Sequence, residues 1–366
     1  MASAIYFAPG RVNLIGEHLD YNGGLVMPAA LSIGVKLTLT PLSGNYLVLR
    51  SVTHDFELKF DLSDQISYDK AYQWANYPLG IVAHLQKEGY TIPACELEYE
   101  SNLPEGSGLS SSAAVEVVTA FALLQQQNVQ VDLVWLANFC KQVENEFIGV
   151  QCGIMDQYSV CLGKKNNAML LDCAHLQHNY IPFELGDYRL VVMDTLKPRS
   201  LIHSKYNERK AECHEALRIL QTAKPALRHL CEASPTLIDL LKDETIRRRS
   251  KHVITENLRV KEAARVLEMN DLSTFGRLMN ASHASLRDDY EVSGTELDTL
   301  VKTAQQIKGC LGARMTGAGF GGCAIAIVHS SMLEQFTAVV SSTYQNTVGH
   351  ACNLFVTDIG DGVKMI

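Results

Sequence analysis

Pro9-Gly10-Arg11-Val12-Asn13-Leu14-Ile15-Gly16-Glu17-His18-Leu19-Asp20-Tyr21-Asn22-Gly23-Gly24 sets Arg, Asn, Glu, His, Asp and Tyr side chains between glycines, where a strand gives way to a loop. Such a density of polar groups suits a polyhydroxylated ligand. Each hydroxyl both donates and accepts, and a site that pairs them rejects analogues that leave its buried polar groups unmatched. Glu17 and Asp20 are the candidate hydroxyl acceptors. The plainer alternative is a polar turn in which Asp20 and Asn22 bond to local backbone, and spacing alone does not choose between the two.

Downstream, Pro104-Glu105-Gly106-Ser107-Gly108-Leu109-Ser110-Ser111-Ser112-Ala113-Ala114 runs directly into the helical pattern VEVVTAFALL. Glycines admit a ligand close to the backbone, and the free N–H groups and dipole of a first helical turn favour phosphate. Serine hydroxyls there cap the helix or reach a Mg²⁺ ion. The GK[ST] ending of a Walker loop is missing, and a simple N-cap, the alternative, needs only one of the serines. A third segment, Met315-Thr316-Gly317-Ala318-Gly319-Phe320-Gly321-Gly322-Cys323, holds more glycines than a hairpin turn requires. A loop pressed against a ligand or against the second segment explains them; a strained structural turn is the alternative.

Between these segments lie Glu144 and Gly153-Ile154-Met155-Asp156-Gln157. Phosphoryl transfer asks for a cation, a metal-binding carboxylate and a polar partner for the acceptor, and Arg11, Glu144 and Asp156 are candidates for these parts. An acid such as Glu144 on an amphipathic helix is otherwise a solvated face.

The 366 residues exceed what one core usually serves, so two lobes with a cleft are predicted. Hydrophobic residues at 47% and charged residues at 20% describe a globular chain able to fold unaided. A net charge of -8 with pI near 5.8 opposes broad attraction to nucleic acid or anionic membranes, so neither is an expected partner. The start, MASAIYFAPGRVN, lacks the basic and apolar regions of a secretory signal, and no stretch approaches the roughly 20 apolar residues of a membrane span. A cytoplasmic location is expected. The ten cysteines form no paired CxxC units and read as free thiols in apolar surroundings.

Period-two and β-branched patterns predict strands over 25–40, 46–50, 55–60, 95–99, 168–173, 189–194 and 323–328. Helical spacing predicts helices over 72–88 with a stop at Gly89, over 111–127 and over 133–147. Residues 205–286 read as almost continuously helical, and ELDTLVKTAQQ (296–306) adds one more helix. The texture changes near 175–190.

Taken together, GRVNLIGEHLDYNGG resembles the galactokinase signature, GLSSSAA the second motif of the GHMP kinase family, and MTGAGFGGC the third. WANYPLG (74–80), CGIMDQ (152–157), SKYNERKAEC (204–213) and SHASLRDDYEVSGTELD (282–298) also match, so the likeness spans nearly the whole chain. The resemblance implies a two-lobed α+β fold: an N-terminal lobe of mixed sheet and helices over 1–180, and a ferredoxin-like lobe with added helices over 181–366. The last strand near 350–366 is a candidate to join the first lobe. It implies ATP-dependent phosphorylation of galactose at the anomeric hydroxyl, with ATP and Mg²⁺ as cofactors, by a monomer.

By the same resemblance Arg11 and Asp156 match the catalytic pair, and Glu17, His18, Asp20, Gly153 and Tyr206 the galactose contacts, with Asp20 reading the axial hydroxyl. Gly106, Ser107, Gly108, Leu109, Ser110, Ser111 and Ser112 match the phosphate loop, Ser112 and Glu144 the Mg²⁺ ligands, and Trp74 and Tyr77 the region near the nucleotide base. An aspartate paired with a guanidinium is a weak base, which favours a positioning role for Asp156. Leu19 stands where many members carry threonine, and Leu196 in DTLKPR where asparagine is common; both are expected near the sugar and bear on substrate preference. The lead-in before Pro9 is short for the family. An N-acetylgalactosamine kinase and a non-catalytic galactose sensor are the rivals. Intact Arg11, Asp156 and Ser110–Ala114 argue against the sensor.

Overall fold

Strands form where apolar residues alternate or run together, and the glycine-rich segments fall between them. The structure, a computed structural model, describes residues 3–104, 106–150, 152–197 and 202–366, the side chains at 202 and 203 excepted. Glu105 of the second glycine segment and the Pro198–Arg199 part of DTLKPR therefore lie outside the described residues.

In chain order the strands are β1 (Ala4–Asn13), β2 (Leu25–Val26), β3 (Pro28–Pro41), β4 (Tyr46–Ser51), β5 (Phe56–Asp61), β6 (Cys95–Ser101), β7 (Asn167–Asp172), β8 (Gln177–Pro182), β9 (Tyr188–Asp194), β10 (Cys310–Met315), β11 (Cys323–His329), β12 (Asn353–Thr357) and β13 (Lys364–Met365). The helices are α1 (Asn76–Lys87), α2 (Ser111–Gln126), α3 (Leu133–Val143), α4 (Met155–Leu162), α5 (Ile202–Ala223), α6 (Glu244–Glu268), α7 (Leu272–Ser285), α8 (Thr295–Gln306) and α9 (Leu333–Val348).

The first sheet runs β13-β1-β3-β6-β4-β5, antiparallel except where β4 meets β6. Helix α2 packs on β1 and β3, with α1, α3 and α4 around it. Its inward residues Val117, Val118, Leu123 and Leu124 are wholly buried, each contributing about 1.5–3 kcal/mol over an exposed position. The second sheet, β10-β11-β9-β12, is antiparallel throughout. Its connectivity is β-α-β-β-α-β, the ferredoxin-like arrangement, with α5 to α8 all lying between its first two strands. A small sheet, β2-β7-β8, completes the set.

Several boundaries differ from the sequence reading. Expected helix 72–88 becomes a 3-10 turn over Lys70–Ala75 followed by α1, because Gln73 stands at φ 47° and breaks the helical path. Expected helix 133–147 divides into α3 and a π-helical turn, Glu144–Ile148, closed by Gly149 at φ 86°. Pro225 ends α5 at Ala223, as the clash of a proline with the preceding residue requires, and residues 224–243 hold only short turns. The final strand region splits: β12 joins the second sheet beside β9, while β13 pairs with β1.

One irregularity in β1 positions the chemistry. The pairing of β1 with β3 slips between Pro9 and Arg11, a bulge that re-aims the next side chain. Gly10 is needed there, because a Cβ on it would sit 2.5 Å from Leu103 Cδ2 and 2.9 Å from the Leu109 carbonyl. Arg11 N–H bonds that carbonyl at 3.0 Å, so β1 is laced directly to the serine segment.

Candidate active site

A cavity of about 730 Å³ opens between the two main sheets, walled by the three glycine-rich segments. At its centre Arg11 grips Asp156 with two parallel bonds, Nε to Oδ1 at 2.8 Å and Nη2 to Oδ2 at 2.7 Å. Ser110 donates to the same Oδ2 at 2.6 Å. Arg11 is buried, whereas the Asp156 side chain keeps 31% exposure, which leaves it open to the cavity. The remaining Arg11 nitrogen, Nη1, donates to the Gly108 carbonyl at 2.6 Å. One guanidinium thus holds both the acid and the serine loop.

That loop delivers Gly106, Gly108, Ser110, Ser111 and Ser112 to the cavity wall at the N-terminus of α2. The first-turn N–H groups of a helix have no intrahelical partner and attract anions. Ser107 and Leu109, expected in the same loop, turn inward: Ser107 Oγ bonds the Pro104 carbonyl at 2.6 Å, and Leu109 is buried. Gly317 abuts the loop, its nearest outside atom being the Gly108 carbonyl at 3.7 Å from where a Cβ would stand. The third segment therefore meets both the cavity and the second segment.

Across from Ser112 lies Glu144, placed by the π turn that ends α3. Its Oε2 accepts from Gln157 Nε2 at 2.7 Å and from Cys152 Sγ at 3.3 Å, and Ser112 bonds the same carboxylate. Burial, then the charge of Asp156, pushes the Glu144 carboxyl up. Tyr77 lines the cavity, its phenol pushed up to about 12 by burial and then by Glu144. Trp74 does not line it. Its ring packs edge-on against Tyr99 and Phe56, at centroid distances of 5.1 and 5.5 Å.

The other end of the cavity holds Glu17, His18, Asp20, Gly153 and Tyr206. Gly153 is there for want of a side chain: a Cβ would fall 1.7 Å from Asp20 Oδ2. Gly153→Ala is expected to push the Asp20 carboxylate aside and lower kcat/KM about 100-fold, since a displacement near 1 Å costs that much. Steady-state kinetics on the folded variant checks this. Burial, then the neighbouring Asp156 charge, raises the Asp20 carboxyl to about 6.

Glu17 does not stand as a free hydroxyl acceptor. Its side chain is 1% exposed, ion-paired with wholly buried Arg314, and Oε1 takes the Gly317 N–H at 3.0 Å. Burial pushes this carboxyl up while Arg314 opposes the rise. Arg314 also donates to the Asn13 carbonyl at 3.1 Å and faces Glu256 Oε1 at 3.9 Å. Glu256 in turn bonds Arg259 Nε at 2.6 Å and the Gly16 N–H at 3.0 Å. Burial favours the neutral form of Glu256, but Arg259, His252 and Arg314 outweigh it and bring the carboxyl to about 2. Sequence reasoning missed Arg314 and Glu256; a lone arginine in the apolar strand GARM, directly before the third segment, was the available signal. It also missed Cys152 and Asn207, which line the cavity. Leu19 is wholly buried and Leu196 is exposed, and neither lines the cavity.

Comparison with known proteins places the chain in a family. Residues 2–41 match the galactokinase galactose-binding signature, 76–164 the N-terminal domain of GHMP kinases and 260–346 their C-terminal domain. The chain is 44% identical to the galactokinase of Halalkalibacterium halodurans over 98% of its own length and 92% of that protein's. It is 46% identical to that of Staphylococcus carnosus, over 98% and 94%. A crystal structure of Lactococcus lactis galactokinase complexed with galactose superposes with a TM-score of 0.94 at 42% identity, covering 100% of this chain and 95% of that one. Methanococcus jannaschii mevalonate kinase shares the fold alone, with a TM-score of 0.71 at 18% identity over 98% and 99%. With such identity sustained over nearly its whole length, the chain belongs to the galactokinases of the GHMP kinase family.

Proposed function

We propose that this enzyme transfers the γ-phosphoryl group of ATP to the anomeric hydroxyl of galactose, giving galactose 1-phosphate. The observation that carries the reading is the Arg11–Asp156–Ser110 constellation, set between an anion-attracting helix N-terminus and the polar end of the cavity lined by His18, Asp20 and Tyr206. Two carboxylate oxygens offer about four lone-pair positions. Arg11 and Ser110 occupy three, which leaves one on Oδ1 for the sugar hydroxyl. Asp156 so placed orients the nucleophile, and Arg11 supplies positive charge where the transferring phosphoryl group gathers negative charge. Backbone N–H groups of Ser111 and Ser112 hold the nucleotide phosphates, and Tyr77 stands near them on the wall.

Magnesium fits the oxygen donors present, Glu144 and Ser112, since this ion needs only one or two protein oxygens when phosphates complete its shell. Bound there, it would neutralise charge on the phosphates. At the sugar end His18, Asp20 and Tyr206 contact hydroxyls, Gly153 leaves room for them, and Glu17 braces the loop from behind. The division of the chain near residue 180 belongs to the same reading. It is supported by the separate sheets to which β1 and β9 belong.

The test is ADP release with ATP and a panel of sugars, the product identified by ³¹P NMR. Galactose giving a 1-phosphate is expected. Turnover with N-acetylgalactosamine but not galactose would overturn the substrate assignment.

The Asp20 carboxyl sets a pH dependence. Ionised, both of its oxygens accept hydroxyl protons, and protonation turns one of them into a donor, so galactose kcat/KM is expected to fall as pH drops through about 6, kcat/KM reporting groups of the free enzyme. Asp20→Asn should lower kcat/KM and remove that bend from the profile.

A further inference from the structure

His18 carries an unexplained buried atom. Its Nε2 has no side-chain partner although it is buried at the edge of the cavity, where the Ala318 backbone lies against the ring. The other ring nitrogen, Nδ1, lies 2.8 Å from the Tyr21 hydroxyl, which lies 2.8 Å from the Tyr290 hydroxyl, which lies 3.1 Å from Cys213 Sγ. The ring is held against Tyr290 at 4.8 Å between centroids and against Tyr206 at 5.7 Å, and its backbone stands at φ 63°, a left-handed conformation that costs energy in a non-glycine residue. A strained, caged imidazole with one nitrogen tied into a chain of hydroxyls is not a mere core histidine.

A neutral imidazole has one donor nitrogen and one acceptor nitrogen, and the partner of one decides the role of the other. We propose that Tyr21 and Tyr290 are positioning residues that fix the tautomer of His18: the thiol of Cys213 donates to Tyr290, Tyr290 donates to Tyr21, Tyr21 donates to Nδ1, and Nε2 is left as an N–H donor aimed at a sugar oxygen. Burial, then the charge of His252, brings the His18 ring down to about 3, so it is neutral and the choice of tautomer is real. The Ala318 backbone, on the cavity wall, favours a ring proton; with Nδ1 engaged by Tyr21, Nε2 is the nitrogen left to carry it. Site specificity follows. A donor at Nε2 rewards a ligand oxygen that can accept, and a reversed tautomer would set an acceptor against it.

This inference rests on the sugar-binding reading for its functional consequence, but its physical content is tested without substrate. Protein labelled with ¹⁵N-histidine, free of ligand, is examined by long-range ¹H–¹⁵N NMR, the His18 signals assigned by their loss in His18→Gln. Nε2 protonated and Nδ1 unprotonated is expected. Tyr21→Phe should give a mixture of tautomers and raise KM for galactose about tenfold, one factor of ten being the scale of a single lost preference, with kcat and KM for ATP little changed. Tyr290→Phe keeps the ring that packs on His18 and removes only the hydroxyl, and it should shift the tautomer in the same direction should Tyr21→Phe fold poorly. A His18 protonated at Nδ1 in the unsubstituted protein, or an unchanged tautomer in a folded hydroxyl-deleted variant, would overturn the proposal. Failure of the sugar assay with the expected tautomer intact would instead count against the substrate reading alone.

Discussion

Asp156→Asn is expected to lower kcat by about 10³-fold, within the range that positioned acid–base groups supply, while the protein stays folded and KM for galactose changes far less. The substitution keeps size and shape but replaces an acceptor by an amide NH₂. Whichever way the amide is turned, a donor then faces either Arg11 or Ser110, both of which donate to this carboxylate. The geometry that offers Oδ1 to the acceptor hydroxyl is lost together with the charge. Arg11→Ala should be at least as severe, because it removes the grip on Asp156 and the bond to the Gly108 carbonyl in one step. The measurement is ADP release by purified protein whose thermal transition matches the parent. Turnover above a tenth of the parent rate in Asp156→Asn would remove Asp156 from the mechanism.

The largest effect on stability is expected from Arg314→Met, about 3–5 kcal/mol, the usual cost of breaking a buried ion pair by deleting one partner. Methionine fills most of the volume, so the loss comes from electrostatics rather than from a cavity. Glu17 would keep only the Gly317 N–H among these partners, and Glu256 would lose one of its two arginines. Urea unfolding reads the change as a lower midpoint at constant slope. Adding Glu17→Gln to Arg314→Met removes the stranded charge and should recover a measurable part of that loss. A double variant no more stable than Arg314→Met alone would show that Glu17 and Arg314 are not energetically coupled.

The contrast between these two predictions marks what could be read from the sequence. Arg11, Asp156, Asp20 and Gly153 sit in dense polar or glycine-rich words whose composition has few purely structural uses, so the chain itself proposes them. Arg314 and Glu256 do not announce themselves: one is the single charge of an apolar strand and the other is one of many charges on a long amphipathic helix, and only the meeting of β10, α6 and the first segment brings them together. Trp74 errs in the opposite direction. An aromatic in a matching motif invites a ligand role, yet the break at Gln73 turns it onto Phe56 and Tyr99. Boundaries failed where a local device overrode periodicity, as with the π turn that carries Glu144 out of α3. Strands β8 and β10 escaped because the polar run QHNYIP in one, and Gly312 and Arg314 within CLGARM in the other, break the apolar pattern that marked the rest.

The reciprocal bonds between Asn13 and Thr316, N–H to Oγ1 at 2.9 Å and Oγ1–H to carbonyl at 3.0 Å, join positions 303 residues apart. A ribosome adding about 5–20 residues each second would have held the sugar-binding loop in the growing polypeptide for some fifteen seconds or more before the segment that braces it emerged. The lobe bearing Arg11 and Asp156 is therefore born without its clamp, and competence must wait until the third glycine-rich segment has emerged.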